Sequence, residues 1–163
     1  MEKFTGKVWL LGDDIDTDII MPTEYLVFKT IDEMKPYAFS PLRPELAAQI
    51  KPGDIIVAGS NFGCGSSREQ APEVVKALGL RCVIAKSFAR IFFRNAINNG
   101  LLLIENADLA DYVKEGEEIT VTVNEKIECR GKEFPIVSLP DNLVEIINAG
   151  GLVKAMRKRN GLG

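Results

Sequence analysis

Histidine is absent from all 163 residues. The side chain best suited to moving protons near neutral pH is therefore missing. Serine triads and histidine-ligated zinc sites are excluded for this chain on its own. Cysteine is scarce. Cys64, Cys82 and Cys129 are odd in number and widely separated, which indicates neither a disulfide framework nor a CxxC metal knuckle. A reducing cytoplasm is the expected location. No apolar run approaches the roughly 18 residues that cross a bilayer, and the opening MEKFTGKVWL lacks a signal-peptide pattern. No membrane partner is expected. The formal net charge of −3 argues against nucleic acid as well.

What is present is an ordinary globular balance, with 46% apolar and 26% charged residues. The length suits a single domain spanning 1–163, long enough to bury a core without staples.

Val8 to Leu11 reads as a short strand that opens into the acidic turn GDDIDTD. The stretch 23–44 carries scattered prolines and mixed polarity, with a short helix at Ile31 to Lys35. It is expected to be a long, partly ordered and mobile excursion, and loops of that length usually carry function. KPGD at 51–54 is a turn before the strand Ile55 to Ala58. Glu73 to Leu78 reads as a helix stopped by Gly79, and Cys82 to Ala85 as a strand. Phe88 to Asn98 has helical spacing, and Leu101 to Ile104 is strand-like. Strands alternating with helices predict an α/β fold with a parallel sheet. From Glu118 the pattern changes. Ile119, Val121 and Val123 alternate with polar residues, and Ile127 to Cys129 and Phe134 to Val137 follow as short runs. These predict a smaller antiparallel portion beside the mainly parallel sheet. Asp141 is the expected cap of a helix running to Asn148, and Leu152 to Arg157 forms a last helix with a solvated basic end.

The chemistry concentrates in NFGCGSSREQ at 61–70, between a strand and a helix. A dinucleotide fingerprint is excluded because Arg68 stands where the third glycine of GxGxxG belongs. A phosphate loop is excluded because no G-K-[ST] follows. Two readings remain open. Ser66-x-x-Glu69 and Ser67-x-x-Gln70 both fit a capping box, although Pro72 would then fall where the helix needs a backbone donor. Alternatively, Ser66 to Gln70 form a turn before a helix that starts nearer Pro72. Such a turn favours an anion, and Arg68 can grip a carboxylate with two parallel hydrogen bonds. A serine there acts as a general base only if fixed donors or charges stabilise its alkoxide. The local physics proposes removal of a proton next to a carboxylate, or simple anion sensing by a non-catalytic module.

GDDIDTDIIMPTEYL at 12–26, GSNFGCGSSRE at 59–69 and KSFARIFFRNAINNGLL at 86–102 together resemble the 3-isopropylmalate dehydratase small-subunit family. They are also similar to the matching swivelling domain of the aconitase superfamily. The resemblance implies a three-layer β/β/α domain that closes over a larger subunit, as a heterodimer or heterotetramer. That large subunit would carry a 4Fe–4S cluster whose iron acts as a Lewis acid, with no metal held by this chain. It implies hydro-lyase activity in leucine biosynthesis on a small dicarboxylate. Carried over by position, Ser66 matches the catalytic base, Ser67 and Arg68 match residues that orient a substrate carboxylate, and Asp18 matches an active-site acid. A calcium loop built on Asp14, Asp16 and Asp18 is disfavoured, because Ile19 stands in place of the required glycine. Many relatives have histidine where this chain has Gln70.

Substrate choice in the family is attributed to the segment EYLVFKT at 24–30. Homoaconitase-like members place arginine at the position of Val27, suited to a third carboxylate. The run Leu26, Val27 and Phe28 cannot pair that charge but suits a branched alkyl group, whose burial contributes roughly 0.8 kcal/mol per methylene. Isopropylmalate is the expected substrate. Other alkylmalates (methyl- or dimethylmalate) and homoaconitate are the alternatives. Packing of the same three residues into the domain's own core is the competing structural reading.

Overall fold

The computed structural model describes residues 2–161. Four strands run parallel in the order β4-β3-β2-β1: β1 (Lys3–Leu10), β2 (Ile55–Ala58), β3 (Cys82–Ala85) and β4 (Leu103–Glu105). Beyond β1 the sheet continues antiparallel through β5 (Glu118–Thr122), β6 (Lys126–Cys129) and β7 (Lys132–Pro135). β1 belongs to both halves. Its first residues pair antiparallel with β5, Gly6 opposite Ile119, and its last pair parallel with β2, Val8 opposite Ile55.

Eight helices accompany the strands among the described residues: α1 (Thr17–Ile20), α2 (Ile31–Met34), α3 (Leu46–Gln49), α4 (Gln70–Ala77), α5 (Arg90–Asn98), α6 (Leu109–Tyr112), α7 (Asp141–Ala149) and α8 (Leu152–Arg159). The layers follow from the pleat, which sends successive side chains to opposite faces. Ile56, Ala58, Val83 and Ala85 face a core shared with Val74 and Val75 of α4 and Phe92 and Ile97 of α5. Ile55, Val57, Cys82 and Ile84 face the other way, onto Ile119, Val121, Ile127 and Phe134 of the antiparallel strands. The central parallel strands are thus covered on both sides, which is why β2 and β3 read as unbroken apolar runs. The result is the expected three-layer β/β/α arrangement. Its antiparallel portion is as extensive in strand pairings as the parallel one. No helix among the described residues is long and apolar enough to cross a membrane.

Several boundaries differ from those expected. β1 starts at Lys3 rather than Val8 because Gly6 interrupts the apolar signal. Glycine is required there: a Cβ would lie 2.5 Å from the Gly53 carbonyl oxygen. β4 is shifted to begin at Leu103, and β7 ends at Pro135, leaving Val137 exposed. Asp141 does not cap α7. Pro140 occupies the cap position, and Asp141 sits in the first turn, where a carboxylate complements the positive end of the helix dipole. The KPGD turn is closed by Asp54, which is buried and accepts hydrogen bonds from the Lys51 amide and the Trp9 indole, each at 2.8 Å.

The 23–44 stretch is folded over most of its length. A 3-10 turn at Thr23–Val27, α2 and a second 3-10 turn at Lys35–Tyr37 follow one another. Ala38 and Phe39 are completely buried, so its latter part anchors in the helical core. Tyr25, Phe28 and Tyr37 stack, with ring centroids 4.1 Å apart for Tyr25 and Tyr37.

Candidate active site

Three segments leave the carboxyl ends of β1, β2 and β3 and join at one edge of the parallel sheet, the position where open α/β sheets bind ligands. The middle segment, 59–66, is zipped to the first. Gly59 N donates to Gly12 O (3.0 Å), Asp14 N to Ser60 O (2.9 Å), Gly63 N to Ile15 O (2.7 Å) and Thr17 N to Cys64 O (2.9 Å). On its other side, Phe62 N donates to Ser87 O (3.1 Å) and Ala89 N to Phe62 O (2.9 Å). The three motifs, far apart in the chain, thereby become one scaffold.

The acidic turn braces this scaffold, and its aspartates are not merely solvated. The Asp13 carboxylate accepts from Ser60 N at 2.7 Å, and Asp14 from the Asn61 amide at 3.2 Å. Asp16 caps α1 by accepting from Ile19 N at 2.8 Å. Gly63 has φ +86°, and a Cβ there would meet the Phe92 ring at 2.2 Å. The absence of a side chain lets the loop lie directly against α5.

Ser66 and Ser67 are both exposed, and neither hydroxyl hydrogen-bonds to another described residue. The Ser66 carbonyl is held instead, accepting from Thr17 Oγ1 at 2.9 Å. Neither serine caps α4. That helix begins at Gln70 with Glu69 at the cap position and no side-chain cap bond. Pro72 is then the third helical residue, where its missing N–H costs nothing. Of the two readings open to the sequence, the capping box is removed, and the turn ahead of the helix stands.

Arg68 reaches back from the loop to the segment after α1. Its Nη1 donates to Asp18 Oδ1 at 2.6 Å and to Met21 O at 2.9 Å, and Nη2 donates to Thr23 Oγ1 at 3.2 Å. Thr23 in turn donates to Asp18 at 3.0 Å. The Arg68 side chain is only 13% exposed while Asp18 is mostly in solvent. The hydrogen bond from Arg68, with a smaller contribution from Thr23, holds the Asp18 carboxyl below its ordinary range. A depressed folded-state pKa means that the contact contributes above the ordinary value of about 3.9 and is lost as pH falls through the lowered one. The expected result is that, in an Arg68→Gln protein, the Asp18 carboxyl-carbon titration followed by NMR moves up toward ordinary aspartate. An unchanged curve would contradict the pairing.

Facing the loop across a cleft of about 210 Å³ stand Ala89, Arg90, Ile91, Phe92 and Asn95 of α5 and its entry. Thr17, Gly63, Gly65, Ser66, Ser67 and Arg68 form the other wall. The sequence motifs single out Ser66, Ser67, Arg68 and Asp18, and these do come together. Thr17, Thr23, Arg90, Ile91 and Asn95 were missed. Helical spacing sets Arg90 and Asn95 apart from the buried Phe92, Ala96 and Ile97, but it does not say that they face the loop, and Phe92 lines the cleft as well.

Leu26, Val27 and Phe28 do not line this cleft. Leu26 and Phe28 are half-buried against the domain's own helical core, as the competing reading held, whereas Val27 is 80% exposed. Cys64 is half-buried beside the loop. Burial, together with the carboxylates of Asp16 and Asp14, pushes its thiol up, so it stays protonated near neutrality. No group of three or more Cys, Asp or Glu side chains suited to a metal occurs among the described residues. Among the described residues Asp14, Asp16 and Asp18 are engaged with Asn61, the Ile19 amide and Arg68 instead of converging as a calcium loop would require.

Fold and site together define an aconitase-type swivelling domain, and the family model described as "Aconitase C-terminal domain" matches residues 29–109. The likeness extends over nearly the whole chain in closer relatives. A 3-isopropylmalate dehydratase small subunit from Lachnospira eligens is 80% identical across 99% of this chain and 98% of that protein. An isopropylmalate/citramalate isomerase small subunit from Methanocaldococcus jannaschii is 45% identical across 94% of each. A crystal structure of 3-isopropylmalate dehydratase from Methanocaldococcus jannaschii superposes with a TM-score of 0.93 at 40% identity, covering 99% of this chain and 97% of that one. The chain belongs to the 3-isopropylmalate dehydratase small-subunit family.

Proposed function

We propose that this chain is the small, catalytically necessary subunit of a cytoplasmic hydro-lyase that interconverts 2-isopropylmalate and 3-isopropylmalate in leucine biosynthesis. The reaction runs through an alkene. Water is removed across two carbons and added back in the opposite sense. The observation that carries the reading is the pair of free, exposed hydroxyls of Ser66 and Ser67 in a cleft that also holds two arginines and no acid. Ser66 Oγ takes the carbon-bound proton, and the neighbouring guanidinium charge favours its alkoxide. Ser67 and Arg68 hold a substrate carboxylate, and Asp18 and Thr23 keep the Arg68 fork aimed. Free thiols at Cys64, Cys82 and Cys129 suit a reducing compartment.

On this reading the cleft closes onto a large subunit, which supplies the remaining active-site groups. The 4Fe–4S cluster implied by the family would reside there and, when bound, supplies Lewis acidity toward the departing hydroxyl. Co-expression with the candidate large chain under anaerobic conditions, followed by alkene absorbance on adding 2-isopropylmalate, tests the reading. Absorbance that appears only with both chains supports it. A chain that binds malates tightly and never recruits a partner would instead be an anion-binding module.

Val27 is the residue we assign to alkyl recognition, at the exposed end of the Thr23–Val27 turn, where it can meet substrate across the subunit boundary. Because it is exposed, Val27→Arg should change folding stability by no more than about 0.5 kcal/mol. Its kcat/KM for 2-isopropylmalate is expected to fall by roughly 10- to 200-fold, with relative preference moving toward homoaconitate. Unchanged selectivity across a series of 2-alkylmalates and homoaconitate would remove Val27 from this role. The Methanocaldococcus relative named for both isopropylmalate and citramalate supports a second reading, activity on a methyl-substituted malate, and the same series measures it.

A further inference from the structure

The two arginines that line the cleft differ in their surroundings. Arg68 is committed to Asp18, Met21 and Thr23. Arg90, on the opposite wall, is exposed and makes no hydrogen bond or ion pair with any described residue. None of the eleven lining residues is an aspartate or glutamate, and α5 carries no acid in its first turn. Asp18, outside the lining, already pairs Arg68, so the guanidinium left without a counter-charge among the described residues is that of Arg90. Unpaired positive charge converging on a small concave surface calls for an anion.

Building on the functional reading above, we propose that Arg90 is a second substrate-positioning residue, holding the carboxylate that Arg68 does not. The ligand then spans the cleft. One carboxylate lies at the Ser67–Arg68 wall, the other at Arg90, and the carbons between them lie over Ser66. The two attachment points fix which carbon is presented to Ser66 Oγ, so Arg90 contributes orientation as well as affinity. Ile91, 53% exposed beside Arg90 in the same cleft, provides an apolar floor next to the second carboxylate. Phe92 and Gly63, in close approach, set the distance between the walls.

The test uses the assembled two-subunit enzyme with wild-type, Arg90→Ala and Arg90→Lys chains. Equilibrium binding is measured for 2-isopropylmalate and for a branched 2-hydroxy monocarboxylate lacking the second carboxylate. Arg90→Ala is expected to weaken 2-isopropylmalate by about 10- to 100-fold and to leave the monocarboxylate unchanged. Arg90→Lys keeps the charge without the fork and should fall between. Equal weakening of both ligands, or none of either, would overturn the proposal, because a merely structural or docking role does not distinguish them. If Arg90→Ala fails to assemble, the lysine variant carries the same comparison. An unaltered Arg90→Ala affinity beside an active wild-type enzyme sinks this inference alone. A wild-type enzyme that binds no alkylmalate sinks it together with the functional reading.

Discussion

Replacing Ser66 with alanine is expected to lower turnover of the assembled enzyme by about 10²–10⁴-fold, the range over which a positioned acid–base group acts, while assembly and folding persist. The separation follows from the structure. The Ser66 hydroxyl has no partner among the described residues, so its removal breaks no internal bond. What anchors the loop at that point is the Ser66 carbonyl, which Thr17 holds and alanine retains. Ser67 remains beside it, and Arg68 keeps its contacts to Asp18 and Thr23. KM should therefore change little compared with kcat. Thermal denaturation and size-exclusion of the complex check the first half of this statement, and steady-state kinetics the second. Turnover within a few-fold of wild type would take the proton-abstracting role away from Ser66.

Arg68→Ala should behave differently, losing both affinity and local order. Its guanidinium is mostly buried and joins the Ser66–Arg68 loop to the segment that begins at Met21 and Thr23. Without its hydrogen bonds to Met21 O and Thr23 and its grip on a substrate carboxylate, kcat/KM should fall by about 10²–10³-fold, with a raised KM. The same change frees the start of the 23–44 segment, so protease sensitivity or amide exchange should rise at 18–28. Arg68→Lys should recover part of the affinity and little of the order, because a point charge cannot bridge Asp18, Met21 O and Thr23 at once. An Arg68→Ala enzyme with normal KM would show that the carboxylate lies elsewhere.

Much of this architecture is legible in local sequence. Ile55–Ala58 and Cys82–Ala85 are apolar on every residue because both faces of the parallel sheet are covered, and their boundaries match the structure. The alternation at Ile119, Val121 and Val123 identifies the antiparallel strands for the converse reason. What local pattern conceals is anything decided by distant chain. Gly6 looks like a strand breaker, yet it is needed where β1 passes the Gly53 carbonyl. Asp13 and Asp14 look like solvated turn residues, yet they hold Ser60 and Asn61 across 47 positions of chain.

The candidate site divides the same way. Ser66, Ser67 and Arg68 announce themselves by residue type and glycine context. Arg90 and Asn95 do not, because on a helix their spacing alone cannot say which wall they face. The apolarity of Leu26 and Phe28 suits a pocket and a core equally well, so residue type alone does not separate the two. Val27 is left exposed by the turn, while Leu26 and Phe28 are half-buried against the core.

The central claim is that a serine hydroxyl on this chain meets the substrate carbon that loses its proton. A crystal structure of the two-subunit enzyme with an unreactive isopropylmalate analogue measures that contact. The account predicts Ser66 Oγ about 3–3.5 Å from that carbon, with one carboxylate on Arg68. A complex in which Ser66 faces away from the ligand while a group of the large subunit occupies that position would contradict it.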